Sequence, residues 1–201
     1  MAEITASMVK ALREKTGAGF MDCKKALQDA DGDIVDAELN LRKRGIDVAQ
    51  KKAGREAKEG MIGAYIHPGS KLGVIVEVNC ESDFVARTDD FQQLVHDIAM
   101  HIAATDPRFL RKEDVDEQVL EKEREIQKAR AIEEGKPEQI IDKIVDGRMK
   151  KFYEEVCLYE QPFVKDNAAT VGELITASIS KMGENILVSR MARFKVGEGD
   201  V

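Results

Sequence analysis

The chain has 201 residues, of which 43% are hydrophobic, 34% charged and 5% aromatic. That length makes one large domain or two small ones, with enough apolar residues for a real core. A net charge of −7 argues against nucleic acid as the main ligand, because that affinity comes from Lys and Arg on phosphates, and no run approaches the roughly 18 apolar residues of a membrane span. The charge is unevenly spread. Residues 1–55 carry eleven Lys and Arg against nine Asp and Glu, whereas residues 56–160 carry fifteen against twenty-four. A mildly basic head on an acidic body fits protein partners. The start, Met1 to Thr5, lacks a basic stretch followed by an apolar one, so no secretory signal is expected. Cys23, Cys80 and Cys157 are far apart and form no C-x-x-C, which reads as buried, reduced thiols rather than a disulfide framework or zinc knuckle.

Residues 5–45 read as three short helices. Thr5 caps the first, with Met8, Val9 and Leu12 inward, and Thr16-Gly17-Ala18-Gly19 breaks it. The second starts at Phe20. Asp31-Gly32-Asp33 ends it and caps the third, in which Ile34, Ala37 and Leu41 share a face and Gly45 marks the stop. Residues 46–60, rich in Lys, Ala and Gly, read as a linker, helical in part. The period then changes. Met61 to Ile66 and Lys71 to Cys80 read as strands around a His67-Pro68-Gly69-Ser70 turn, and the β-branched run Leu72 to Val78 reads as a central, buried strand.

Glu81 to Arg87 follows as a polar loop, and Thr88 caps a helix whose stripe Phe91, Leu94, Val95, Ile98, Ala99 and Ile102 is the clearest helical signal in the chain. Residues 113–134 form a charged helix closed by Gly135. Pro137 opens another that runs to about residue 156 with Ile141, Val145, Met149, Phe152 and Val156 inward. Thr170 and Glu173 make a capping box for a helix ending at Gly183. Residues 186–196 alternate as a last strand, with Ile186, Val188, Ala192, Phe194 and Val196 on one face, joining the hairpin in a three-stranded antiparallel sheet.

The residues supply little catalytic chemistry. His96 and His101 are five apart on one helix and make a poor metal pair, and there is no H-E-x-x-H, phosphate-binding glycine loop or G-x-S-x-G elbow around Ser178 or Ser180. Cys80 with a histidine is the one conceivable nucleophile pair, set against its reading as a small core residue. Two loops remain. Thr16 to Met21 is either a docking surface presenting Phe20 and Met21 or an ordinary turn before a core Phe. In Ser82-Asp83-Phe84-Val85, the apolar pair is either a hydrophobic staple onto the next helix or a wedge for a partner, where aromatic anchors dominate.

These residues resemble the translation elongation factor Ts family over nearly the whole chain. The stretch Ile4 to Leu27 is similar to its N-terminal signature, Glu77 to Ala86 to its second motif, and Gly147 to Phe152 and Gln161 to Val164 support both. The resemblance implies an α+β fold with a three-helix, ubiquitin-associated-like bundle at 1–45, a linker at 46–60 and a core at 61–201 with a small three-stranded antiparallel sheet packed with helices. It implies no covalent chemistry and no cofactor, but guanine-nucleotide exchange on elongation factor Tu. Asp83 and Phe84, flanked by Ser82 and Val85, would insert near the partner's Mg²⁺ site. Arg13, Phe20, Met21 and Lys24 match docking positions of the head, and His67 matches a turn histidine that approaches the partner's phosphate loop in longer members.

Two departures stand out. The hydroxyl before Asp-Phe is Ser82 rather than Thr, and a single core replaces the duplicated one of long members, a form that pairs as a homodimer. Some short members carry a cysteine near position 192, where this chain has Met191-Ala192-Arg193. The implied setting is a bacterial-type cytoplasm, or an organelle that keeps such factors, with no nucleic acid or membrane contact. The alternative from another class is a ubiquitin-associated-like binding module without exchange activity.

Overall fold

The computed structural model describes residues 3–198. In chain order the elements are α1 (Ala6–Thr16), α2 (Phe20–Asp29), α3 (Ile34–Lys52), β1 (Glu59–Ile66), β2 (Leu72–Cys80), α4 (Asp83–Ala86), α5 (Asp89–Thr105), α6 (Glu117–Glu133), α7 (Glu138–Val156), β3 (Pro162–Phe163), β4 (Asp166–Thr170), α8 (Val171–Met182) and β5 (Leu187–Lys195). The fold is α+β. β1, β2 and β5 form a three-stranded antiparallel sheet with β2 in the centre. The chain divides into two compact units. One comprises Met1–Met61, Val78–Leu94 and Ile175–Leu187, the other Ile62–Glu77, Val95–Leu174 and Val188–Val201.

In the first unit, the helices start where capping side chains stand. The Thr5 hydroxyl accepts the Met8 amide at 3.3 Å, and the Asp33 carboxylate accepts the Asp36 amide at 2.9 Å. α1 ends on Gly17, whose left-handed φ of 67° returns its N–H to the Arg13 carbonyl. The core of the three helices is Val9, Leu12, Cys23, Ala26, Leu27 and Ala37. α3 does not stop at Gly45 but continues to Lys52, through the first half of the linker stretch. A glycine ends a helix by turning to positive φ; Gly45 keeps a helical backbone and lies buried against Ser180 of α8. Lys52 donates to the Gly183 carbonyl, and Lys181 pairs with Asp90 at 2.7 Å.

In the second unit, His67 to Ser70 close the hairpin. The Ser70 amide returns to the His67 carbonyl at 3.0 Å, with Pro68 and Gly69 central, the pairing that a type II turn favours. α6 starts at Glu117, later than the expected 113, because Asp116 is its cap and accepts the Gln118 amide at 2.8 Å. α6 and α7 form a helical hairpin around Ala131, Ile141, Val145 and Met149, tied by Arg148 to Glu134 at 2.7 Å and Arg124 to Asp146 at 3.0 Å.

The capping box is present, with Glu173 N–H to Thr170 Oγ1 and Thr170 N–H to the Glu173 carboxylate, both 3.1 Å. β3 and β4 pair as a small second sheet that the sequence pattern does not announce. Near it His101, fully buried, accepts the Val164 amide on Nδ1 at 3.3 Å and donates from Nε2 to Gln161 Oε1 at 2.9 Å. Burial lowers its pKa below the ordinary 6.5.

The two faces of the sheet differ. On β2, Val74, Val76, Val78 and Cys80 are buried, while Ile75 between them is half exposed. Glu77 shares the face of Ile75 by the strand's period of two and pairs with Arg190 of β5, which sets Ala192 and Phe194 on that same outer face. On β1 the exposed residues are Glu59, Ile62, Ala64 and Ile66. The apolar positions expected on one face of residues 186–196 therefore do not share an environment. Ile186 and Val188 are buried, whereas Ala192, Phe194 and Val196 are exposed.

Candidate functional site

Between the end of β2 and the start of α5 the chain makes a single helical turn, α4, where the sequence suggests only a polar loop. The turn forms because Ser82 holds an extended backbone (φ −134°, ψ 154°) and its hydroxyl accepts the Val85 amide at 3.4 Å. α4 sets Ala86 inward and Val85 at half burial, and it leaves Phe84 79% exposed. A staple needs its side chain packed on the following helix, which such exposure excludes for Phe84. Leaving a Phe in water forgoes about 1.5–3 kcal/mol. Asp83 lies in the first turn, where a carboxylate favours the helix dipole, and pairs with Arg87 at 2.9 Å. Arg87 is exposed and Asp83 half-exposed, so the pair is worth no more than about 1 kcal/mol and yields readily to a competing group.

Behind this turn sits a residue that sequence reasoning missed. Glu184, just after the left-handed Gly183, accepts the Ser82 hydroxyl at 2.6 Å and the amides of Ser82 and Glu81 at 3.0 Å each. The polar run Gly183-Glu184-Asn185 marks a turn, but nothing in its spacing names a partner a hundred positions earlier.

In the three-helix head, Arg13, Phe20, Met21 and Lys24 are all exposed, with Phe20 at 48% and Met21 at 70%. Phe20 is thus not a core residue, because α2 turns Cys23, Ala26 and Leu27 inward instead. The head and the Ser82–Val85 turn belong to the same compact unit. His67 belongs to the other, where it is exposed and lies 3.1 Å from the Tyr65 hydroxyl through Nδ1.

Among the described residues, the remaining reactive groups are placed as structural ones. Cys80 is buried, its thiol donates to the Ser82 carbonyl at 3.1 Å, and burial, with Glu184 nearby, raises its pKa. Burial pushes Cys157 up to about 11. Both stay protonated, which suits structural thiols better than nucleophiles. An open cleft of about 390 Å³ on the α6–α7 hairpin is lined by Glu123, Arg130, Glu134, Arg148 and other polar residues, but by none of the candidate residues. Among the described residues no three His, Cys, Asp or Glu side chains are grouped to hold a metal, and no helix is long and apolar enough to cross a membrane.

The profile of the family described as Elongation factor TS matches residues 40–198. Similar curated relatives include the Elongation factor Ts of Solibacter usitatus, 68% identical over 98% of this chain and 93% of the relative. That of Koribacter versatilis is 61% identical over 97% and 89%, and that of Moorella thermoacetica 56% identical over 98% of each.

Proposed function

This chain belongs to the elongation factor Ts family, and from that premise we propose that it promotes GDP release from elongation factor Tu during translation elongation. It performs no covalent step and needs no cofactor. A GTPase holds GDP largely through phosphate-loop amides and Mg²⁺. A factor that binds the nucleotide-free form better must weaken GDP by the same ratio. Weakening of about 10⁴-fold takes about 5.5 kcal/mol of coupling, more than one buried Phe supplies, so two contacts share the load. Asp83 and Phe84 enter near the partner's Mg²⁺ site, framed by Ser82 and Val85. Arg13, Phe20, Met21 and Lys24 of the head (residues 1–45) dock the same GTP-binding domain, and His67 approaches the phosphate loop. The linker (46–60) joins the head to the core (61–201), and two copies pair through the core's open sheet face. The setting is a bacterial-type cytoplasm, with protein rather than nucleic acid or membrane as partner.

The observation that carries this reading is Phe84, an aromatic 79% exposed on a capped turn, in the same compact unit as the exposed Phe20 and Met21. The test is release of fluorescent GDP from purified elongation factor Tu. Catalytic amounts of this protein should accelerate release. Binding without acceleration would instead mark a ubiquitin-associated-like docking module.

A further inference from the structure

All the polar groups of Ser82 are engaged. Besides its hydroxyl and amide on Glu184, its carbonyl oxygen accepts the Cys80 thiol at 3.1 Å and the Ala86 amide at 3.3 Å. The neighbouring Glu81 completes the arrangement in the opposite direction. Its carboxylate accepts the Asn185 amide at 2.7 Å and pairs with Arg55 at 3.4 Å, while the Asn185 side chain donates to the Arg55 carbonyl at 2.8 Å. These bonds lower the Glu81 pKa, the Asn185 amide contributing most. Residues 81–82 and 184–185 are thus cross-clamped by two carboxylates, each accepting amides from the opposite segment, within one compact unit.

A four-residue helix has no stability of its own, because nucleation outweighs its few hydrogen bonds. What keeps α4 in place is its cap, and what keeps the cap in place is Glu184, through three hydrogen bonds strengthened by its charge. We infer that Glu184 is a positioning residue that fixes the direction in which Phe84 leaves the surface, so that the ordering cost is met before the partner arrives. This inference rests on the reading of Phe84 as the group that enters the GTPase. Glu184 itself acts only through the Ser82 cap.

The experiment uses the full chain carrying Glu184→Ala, Glu184→Gln, Phe84→Ala and the Glu184→Ala/Phe84→Ala pair. It measures site-resolved amide hydrogen exchange of the free protein and GDP release from elongation factor Tu. Glu184→Ala should speed exchange of the Glu81 and Ser82 amides at least about tenfold while amides of α2 and mid-α5 keep their protection, and it should slow GDP release roughly tenfold. Glu184→Gln keeps a carbonyl oxygen for the two amides and should recover most of both. The paired variant should release GDP no more slowly than Phe84→Ala alone.

Unchanged protection at Glu81 and Ser82 in Glu184→Ala overturns the clamp. So does a paired variant whose loss is the product of the two single losses, which would mean that Glu184 acts independently of Phe84. So does protection lost throughout the chain, which would make Glu184 merely structural. If Phe84→Ala itself releases GDP at the wild-type rate, the wedge reading falls and takes the role of Glu184 with it. Failure confined to the Glu184 variants leaves the wedge standing.

Discussion

Phe84 separates two roles that a melting curve and a release assay distinguish. At a core site Phe→Ala costs about 3–5 kcal/mol. At a side chain 79% exposed the fold should lose less than about 0.5 kcal/mol, while GDP release slows roughly 10- to 100-fold, the rate equivalent of about 1.5–3 kcal/mol of lost burial in the partner. Asp83→Ala should slow release without lowering the melting temperature, and the two substitutions together should cost less than their sum, since they act on one site. A large fall in melting temperature with release retained would remove Phe84 from the site.

His101 makes a prediction of a different kind. It is neutral in the fold, with its Nδ1 already taken by the Val164 amide, and its pKa is lowered by burial. Below about pH 6.5 the unfolded chain therefore binds a proton that the folded chain refuses. Stability is complete above that value and falls as pH drops toward the lower folded pKa, by at most about 1.4 kcal/mol per pH unit from this group. An NMR titration should find the His101 ring titrating below 6.5; a midpoint above it would refute the assignment.

At the scale of elements, helix caps behave as local chemistry and glycines do not. Thr5, Asp33, Thr88 and the Thr170–Glu173 pair each cap the helix that their sequence positions suggest. Gly45 and Gly60 look alike in sequence yet differ in the fold. A Cβ at Gly45 would lie 3.6 Å from Ser180 Cβ, in ordinary contact, on a helical backbone. Gly45→Ala should therefore stabilise the protein by about 0.5–1 kcal/mol. Gly60 has φ 140°, and a Cβ there would meet the Val78 carbonyl oxygen at 2.2 Å, so Gly60→Ala should destabilise it. Thermal denaturation of both variants checks the pair, and equal effects would contradict the reading.

At the scale of the molecule, the outer face of the sheet, with Ile62, Ile66, Ile75 and Phe194 each at least half exposed, is where we place the second copy. Four such side chains from each copy, at up to about 1.5–3 kcal/mol apiece when fully buried, can exceed an association cost of roughly 4–15 kcal/mol. Light scattering at micromolar concentration should report a dimer, and Ile75→Arg should yield monomers. Reductant should have no effect, because all three cysteines are free and buried and β5 carries none. A wild-type monomer, or a dimer that a thiol dissolves, would contradict this interface.

Local signals made much of this protein legible from its residues. Caps, periodicity and the hairpin turn depend on side chains within a few positions of each other, so the long helices and the β1–β2 hairpin follow from spacing. The motif around Asp83 and Phe84 was legible too, as a pair on a loop, but its alternatives were not separable there, because a staple and an exposed wedge share one spacing. Tertiary structure excluded the staple for Phe84 by leaving it in water, and it anchored Ser82 to Glu184. It likewise carried α3 past Gly45, made His101 a core residue bonded to Gln161, and divided the last strand into buried and exposed ends. Each of these outcomes depends on which distant segment packs against a residue, and that information lies in the folded contacts rather than in any local pattern.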